Sequence, residues 1–550
     1  MGTGPGVVVV GSGAAGLAAA LAAADRGASV LVVERSPWVG GTTAISGGVV
    51  WAPGHRLGDP AGPPDPPGAT LGYLAGLAQG DTDIGLLRAF VEDAGRVVAE
   101  LQERTTLRWE VLEGWPDYHT ELPGSRAGGR SIWPRPLKVG PALAARIHPV
   151  PPGTDLDVPH LHRGRPPAND GVVFRGPVRG RALVAGLLQA VLGAGVEVRT
   201  RSRATRLLLE RGAVVGVEVD GEPIRARVVL ASGGFQHDLL LARAFLPAAP
   251  MAPMGTPGCT GDAVRMAQAV GAALGTMQEG WWMPAILVPG ERLDGADYFR
   301  PLHSERAQPG TIMVDRTGRR FVNEAQNYGD VGRSMTRFAA GPVPFPSAPS
   351  WLVFDRRART RYPFGPIHPE GPDPDWLARA TTVAGLARLI SVNSFALETT
   401  IRRFNRGAAA GRDPAFGRGS LPYDRWIGDP KASHPTLAPL EEPPFYALPV
   451  HLGCLGTKGG PRTDARGRVL SVSGSPIAGL YAAGNAAASP FGTATPAGGA
   501  TLGPALVFGT RAGQAAARDG QIPARGPGRL RPAARPQPAT WAPTAGRPSA

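Results

Sequence analysis

Three glycines and an acid carry the clearest chemical signal in this sequence. Gly11, Gly13 and Gly16 stand in the run Gly11-Ser12-Gly13-Ala14-Ala15-Gly16, and Glu34 follows eighteen residues later. Each position suits one part of a dinucleotide. Gly11 permits a tight turn, Gly13 lets backbone approach a pyrophosphate, and Gly16 lets a helix lie close to a strand. Ala15 lies in the first turn of the helix, where free N–H groups and the positive dipole end meet phosphate oxygens. Glu34 offers a carboxylate to ribose hydroxyls.

The flanking residues are those needed to hold these groups in place. Val7-Val8-Val9-Val10 is a short β-branched run that reads as a buried strand. Leu17-Ala18-Ala19-Ala20-Leu21-Ala22-Ala23-Ala24 has high helix propensity. Ser29-Val30-Leu31-Val32-Val33 reads as a second strand ending at Glu34. Strand, glycine turn, helix, strand and acid occur in the order a nucleotide-binding unit requires.

After Glu34, the chain runs through Arg35 and Ser36 into a loop rich in glycine and hydroxyl groups, including Gly41, Thr42, Thr43, Ser46, Gly47 and Gly48. A nicotinamide cofactor does not require such a loop. A flavin dinucleotide does, because its diphosphate and ribityl chain run deep into the protein. The loop contains no histidine, so tight non-covalent binding of FAD is expected.

The 550-residue chain is long enough for two or more domains with full cores. Its net charge of +14 is not a nucleic-acid signal, since the arginines are scattered and only Lys138, Lys431 and Lys458 are lysines. No nucleic-acid partner is expected. Cys259 and Cys454 are too few for a disulfide framework or a metal cluster, and no metal site is expected. The N-terminus lacks a basic region before its apolar stretch, and no apolar run reaches about twenty residues. A cytoplasmic enzyme without a membrane span is the expectation.

Further along, residues 56–80 read as a Gly/Pro-rich connection, 83–104 and 180–193 as helices, and 105–170 as irregular. Four strand-like runs follow between 196 and 230, the last spanning Ile224 to Leu230. Residues 259–275 read as a helix that Asp262 caps or from which Asp262 holds a ligand hydroxyl. Residues 279–445 are richer in Trp, Pro and Phe, and the strand-and-glycine texture returns from 446. The fold expected is α/β: a discontinuous Rossmann-like FAD-binding domain over 1–278 and 446–522, an inserted α+β substrate domain over 279–445, and a disordered tail over 523–550.

Taken together, the motifs resemble those of flavoproteins related to fumarate reductase and succinate dehydrogenase, and most of all the 3-ketosteroid dehydrogenases. The resemblance spans nearly all of residues 6–520. Besides the N-terminal motif it rests on Ala231-Ser232-Gly233-Gly234, Thr260-Gly261-Asp262, Arg320-Phe321-Val322-Asn323-Glu324, Thr457-Lys458-Gly459-Gly460, Gly484-Asn485 and Thr501-Leu502-Gly503-Pro504. It implies that Ala231, Ser232, Gly233, Asp262, Asn323, Glu324, Gly484, Asn485, Thr501 and Leu502 join the FAD contacts.

The similar enzymes desaturate a ring next to its ketone. By that resemblance, Tyr328 is the base that takes a proton, Tyr118 supports its charged form, and hydride passes to flavin N5. Gly499 matches the glycine whose N–H meets the ketone oxygen. Four residues before Gly499, where the family has a tyrosine ahead of a proline, this chain has Thr495-Pro496, and the threonine is a shorter donor. Loss of one such donor costs on the order of 3 kcal/mol in characterised enzymes. The expected substrate is a small, polycyclic, mostly apolar ketone, with a 3-ketosteroid leading and a terpenoid or aromatic-polyketide ring next, and the electron acceptor is left open. Two alternatives stand beside this one: an FAD-dependent reductase of an activated alkene, and a flavoprotein with a degraded site that binds ligand without turnover. Trp281-Trp282-Met283 suits either an apolar cleft or core packing.

Overall fold

A computed structural model describes residues 4–57, 65–150, 177–519 and 531–532. Its organising layer is a six-stranded sheet in the order Arg468–Leu470, Pro476–Ala482, Arg227–Leu230, Val7–Val10 (β1), Val30–Val33 (β2) and Glu197–Arg199. All its pairings are parallel except that of the first two strands. β1 is central and buried on both faces, which explains its unbroken run of valines. Val7 and Val9 face a helical layer, while Val8 and Val10 face a second, antiparallel sheet formed from Ala204–Glu210, Ala213–Val219 and Glu222–Arg225.

The helical layer is packed unusually closely. Ala14–Ala24 (α1) is buried along almost its whole length, and the C-terminal helix Leu502–Arg518 lies against it. A Cβ on Gly509 would fall 2.4 Å from the Ala15 carbonyl oxygen, and one on Gly513 would fall 2.1 Å from that of Ala19. The alanine-rich sequence of α1 is thus the complement of two glycines about five hundred residues away.

Residues in the middle of the chain form a second body around a seven-stranded, largely antiparallel sheet. Its path runs Ala296–Pro301, Gly280–Leu293, Phe445–Thr457, Ser350–Phe354, Thr311–Val314, with Met251–Pro253 and Ala378–Ala380 also pairing to Phe445–Thr457. Its strands come from both sides of residues 279–445. The α/β architecture matches the expectation.

Several local readings change. Residues 56–80 include the helix Pro67–Ala78, which starts on Pro66-Pro67 because proline suits a first helical turn whose N–H groups lack partners. The run from Ile224 to Leu230 is two strands, Glu222–Arg225 and Arg227–Leu230. The Ala226 N–H still bonds to Val215 of the hairpin, but the Arg227 N–H bonds to Gly6 beside β1, so the chain changes sheets there. The helix expected over 259–275 is only Asp262–Gln268. Of the C-terminal tail, Arg531–Pro532 pairs with Leu208 and Leu209, and the rest lies outside the described residues.

Candidate active site

The glycine turn is held by one serine. Ser12 donates from its N–H (3.1 Å) and its hydroxyl (2.7 Å) to Glu34 Oε2, and its hydroxyl accepts from the Gly40 N–H at 3.0 Å. The Ser36 N–H donates to Glu34 Oε1 at 2.9 Å. Ser12 thereby ties together the turn, the acid and the loop beyond it. Sequence reasoning quoted it without giving it a role; its signal was a small hydroxyl residue between the first two glycines.

The three glycines have different reasons for being glycine. Gly11 has φ +106°, and a Cβ there would fall 2.5 Å from the Ala231 carbonyl oxygen. A Cβ on Gly16 would lie 2.0 Å from the Gly11 carbonyl oxygen. Both are dictated by the protein's own packing. Gly13 is not: its φ of −70° suits any residue, and its Cβ would meet nothing nearer than Thr43 Oγ1 at 3.4 Å. That open space lies at the start of α1. There the Ala14 N–H is taken by Thr43 Oγ1 at 3.1 Å, and no acceptor among the described residues meets those of Ala15 and Gly16. Nearby, at the end of Arg227–Leu230, the buried Ser232 hydroxyl has no partner and Gly233 turns the chain at φ +80°. Unmet donors, an orphaned hydroxyl and an unfilled cradle over a glycine fit a dinucleotide diphosphate.

The remaining loop residues shape this cradle. Ser46 bonds the Thr43 carbonyl and accepts from Gly48, whose φ of +70° and close approach to Arg179 exclude a side chain. Gly41 and Gly47 face open space. The Thr42 hydroxyl accepts from the Thr256 N–H at 3.2 Å. Asp262 is paired with Arg203 at 3.0 Å and Arg35 at 3.6 Å, and Arg35 also donates to Thr260. At the other end, Gly484 packs against Ala15, and Asn485 accepts from Trp281 Nε1 at 3.2 Å. Gly484, Asn485, Thr501, Trp281 and Lys458 line one cavity, with Thr501 and Leu502 opening the C-terminal helix.

Asn323 and Glu324 are corrected from cofactor contacts to structural residues. Glu324 is fully buried and accepts two hydrogen bonds from Arg320 at 2.6 and 2.7 Å, one from Arg418 at 3.1 Å and one from the Met313 N–H at 3.0 Å. Its carboxylate is closed off by arginines. Asn323 donates to Asp424 and accepts from the Ala325 N–H.

The two tyrosines, 210 positions apart in the chain, meet. Tyr118 and Tyr328 rings lie edge to face with centroids 5.5 Å apart. They belong to a closed ring of aromatic contacts: Tyr328 to His303 (5.4 Å), His303 to Trp115 (6.0 Å), Trp115 to Trp426 (4.9 Å), Trp426 to Tyr423 (5.8 Å) and Tyr423 to Tyr118 (5.0 Å). Tyr118 is buried and Tyr328 half-buried at the start of the helix Tyr328–Met335. Burial pushes both phenols above their ordinary range, and for Tyr328 the Tyr118 hydroxyl works in the opposite direction. Tyr118 Oη has no partner in full hydrogen-bond geometry. Sequence reasoning missed Trp115, His303, Tyr423 and Trp426 as members of this group.

Thr495 and Gly499 stand on the loop beside this pair. A Cβ on Gly329 would be 3.0 Å from Thr495 Oγ1, so Thr495 lies against the residue next to Tyr328. The Thr495 hydroxyl accepts from Lys458 Nζ at 3.0 Å, and the same ammonium donates to the carbonyls of Thr493 (2.7 Å) and Ala494 (2.9 Å). Burial brings Lys458 down to about 7. Gly499 has φ +90° and lies against the backbone of Val49 to Trp51; its carbonyl accepts from the Trp51 N–H, while its own N–H meets no acceptor among the described residues. Of the tryptophan run, Trp282 packs in the core and Met283 joins Met254 beside Tyr328.

The chain matches the FAD binding domain family over residues 6–502. It is 38% identical to a 3-oxosteroid 1-dehydrogenase of Mycobacterium tuberculosis, with 92% of this chain and 96% of that protein covered. The chain belongs to the 3-ketosteroid dehydrogenase-like flavoproteins. It is 37% identical to the 4-oxocyclohexanecarboxylate 2-dehydrogenase of Sinomonas cyclohexanicum, with 93% and 94% covered. The crystal structure of a 3-ketosteroid delta1-dehydrogenase from Sterolibacterium denitrificans superposes with a TM-score of 0.83 at 34% identity, covering 93% of this chain and 99% of that one. The cofactor of this flavoprotein family is FAD, and the protein is an FAD-dependent oxidoreductase. No helix among the described residues is long and apolar enough to cross a membrane.

Proposed function

We propose that the protein desaturates a ring next to its ketone in an apolar cyclic substrate, with a 3-ketosteroid as the leading class. The observation that carries this reading is the Tyr118–Tyr328 contact, a buried and a half-buried phenol brought together beside the loop of Thr495 and Gly499. Tyr328, ionised, takes the proton from the carbon next to the carbonyl: that C–H bond breaks, a phenol O–H forms, and the electron pair moves toward the ketone oxygen. The Gly499 N–H and the Thr495 hydroxyl receive the charge on that oxygen. Because Thr495 Oγ1 accepts from Lys458, its own proton is left for the ketone. Tyr118 supports the anionic form of Tyr328. FAD, when bound, supplies the acceptor for the hydride leaving the neighbouring carbon; Ser12, Ala15, Gly16, Ser232, Glu34 and the 40–48 loop would hold it.

A monocyclic ring ketone is the second reading. It is favoured by the short Thr495 in place of a tyrosine and by the relative that acts on 4-oxocyclohexanecarboxylate. Anaerobic mixing with 4-androstene-3,17-dione or with 4-oxocyclohexanecarboxylate separates the two. Bleaching of the bound flavin by the steroid supports the first, and bleaching by the cyclohexanone acid alone supports the second. Indifference to cyclic ketones of both kinds would sink desaturation altogether.

A further inference from the structure

Behind the tyrosine pair lies an arrangement the reaction above does not use. Arg306, in the short turn Glu305–Ala307, is completely buried. Its Nη1 donates to the Glu324 carbonyl, but its Nε and Nη2 have no partner. The hydroxyls of Tyr118 and Tyr423 and one carboxylate oxygen of Asp424 are likewise buried with no partner in full hydrogen-bond geometry among the described residues. The turn packs against the tyrosines: its Ala307, together with Ala325, shares one buried cluster with Tyr118 and Tyr423, and Tyr328 packs against that cluster. The other buried arginines of this region are treated differently: Arg320 and Arg418 are both ion-paired to Glu324. A buried cation without an ion pair is expensive, and buried polar atoms left open in a cluster are ordinarily satisfied by water or used in chemistry.

We propose that Arg306 is a positioning residue whose fixed positive charge, acting through the Tyr118 and Tyr423 hydroxyls, holds the negative charge of the Tyr118–Tyr328 pair when Tyr328 is ionised. The proposal rests on the reading of Tyr328 as the base. It answers a difficulty in that reading, because burial alone pushes both phenols away from the charged form. Burial lowers Arg306 from its ordinary value while Tyr423, Glu305, Tyr118 and Asp424 act to raise it, and a guanidinium keeps its proton in folded proteins. Burial, with Arg306 adding to it, takes His303 down to about 3, so its imidazole is neutral. Burial raises the carboxyls of Glu305 and Asp424, and Asp330 acts on Tyr423. His119, next to Tyr118 in the chain, is lowered by burial but raised on balance by Glu121 and Asp330. Tyr423 shares an edge-to-face contact with Tyr118 and is therefore placed to pass on the effect.

The test uses the FAD-loaded full chain and two readouts. In the first, the rate of flavin bleaching by 4-androstene-3,17-dione, or by 4-oxocyclohexanecarboxylate if only that substrate reacts, is followed against pH. Arg306→Met is expected to raise the midpoint of the rising limb by about one pH unit or more, with a roughly tenfold loss at pH 7 that recovers in alkali, while KM changes little. Arg306→Lys is expected to keep the midpoint near that of the parent. A loss that is equal at every pH, or an unmoved midpoint, overturns the proposal. Should Arg306→Met not fold, Tyr423→Phe takes its place, with a smaller upward move expected and no move counting against. The second readout is ultraviolet phenolate absorbance, which needs no turnover. The lowest-titrating phenol that Tyr118→Phe or Tyr328→Phe perturbs should titrate higher in Arg306→Met; an unchanged titration overturns the proposal. If Tyr328→Phe still bleaches flavin, the base assignment fails, while the phenolate readout still decides the role of Arg306.

Discussion

The N–H of Tyr118 donates to the carbonyl of Pro496 at 2.9 Å. This bond joins the segment carrying the supporting phenol directly to the loop that presents Thr495 and Gly499. The same carbonyl accepts from the Tyr73 hydroxyl at 2.7 Å, and Ser131 holds the Gly498 carbonyl at 2.9 Å. The Tyr118 segment and the loop of Thr495 and Gly499 are therefore placed by a shared set of hydrogen bonds to loop carbonyls, so small side-chain changes at the centre should alter chemistry more than fold.

Thr495→Val removes one hydroxyl from that centre at nearly constant volume. Flavin bleaching is expected to slow by roughly 10- to 1000-fold, as for other oxyanion donors, with the FAD spectrum retained. A rate within twofold of the parent would show that Thr495 does not meet the ketone.

Tyr328→Phe is expected to abolish bleaching, and Tyr118→Phe to slow it and raise the pH at which the rate climbs. The base must be ionised, and burial raises its proton affinity, so the rate should rise with pH into the alkaline range. A flat profile between pH 6 and 10 would contradict this. For stability the sign is opposite: the phenols stay neutral in the fold while the unfolded chain ionises near pH 10, so folding free energy should fall above that pH.

Gly13 and Gly16 should respond in different ways to the same substitution. Gly16→Ala forces a methyl against the Gly11 carbonyl and is expected to destabilise the fold by about 1–3 kcal/mol or more in urea. Gly13→Ala makes only ordinary contacts, with Thr43 Oγ1 at 3.4 Å the nearest, and should leave the unfolding midpoint of the apoprotein nearly unchanged while weakening FAD retention on gel filtration. Loss of folding in Gly13→Ala with FAD affinity intact would reverse the assignment.

Lys458 gives a pH-dependent stability term. Its ammonium titrates at about 7 in the fold, because burial disfavours the charge, and near 10.4 in the unfolded chain. Between those values the unfolded chain binds the extra proton, so stability should increase as pH rises from about 7 toward 10. Lys458→Met should flatten that rise in urea titrations at saturating FAD. Parallel curves for the two proteins would count against it.

Removing Glu324 leaves Arg320 and Arg418 buried with the loss of their shared carboxylate. Glu324→Gln is expected to cost about 3–5 kcal/mol in urea unfolding while the folded fraction keeps its FAD. Selective loss of flavin from a stable fold would restore Glu324 as a cofactor contact.

The dinucleotide unit was legible because its parts are local. The glycines, α1 and Glu34 lie within one βαβ stretch, and each obeys a backbone rule that acts over a few residues. The tyrosines were reached only through resemblance, since nothing near Tyr118 announces Tyr328. The aromatic ring was not legible: Trp115, His303 and the pair Tyr423 and Trp426, which share one short helix, come from three separate segments, and only the topology brings them together. Glu324 was misread for the converse reason. It adjoins a motif in sequence, yet its partner Arg418 is 94 residues away and turns it inward. The split at Ala226 was hidden because both halves favour strand, and only the change of pairing partner ends the first.

The glycine-on-alanine contact between the C-terminal helix and α1 also has a consequence in time. Ala15 and Ala19 leave the ribosome nearly five hundred residues ahead of Gly509 and Gly513. At about 5–20 residues per second, roughly half a minute to two minutes separate the two halves of this contact. During synthesis the nucleotide fold must wait with one flank bare, so nascent chains truncated before residue 509 should be protease-sensitive and unable to capture flavin.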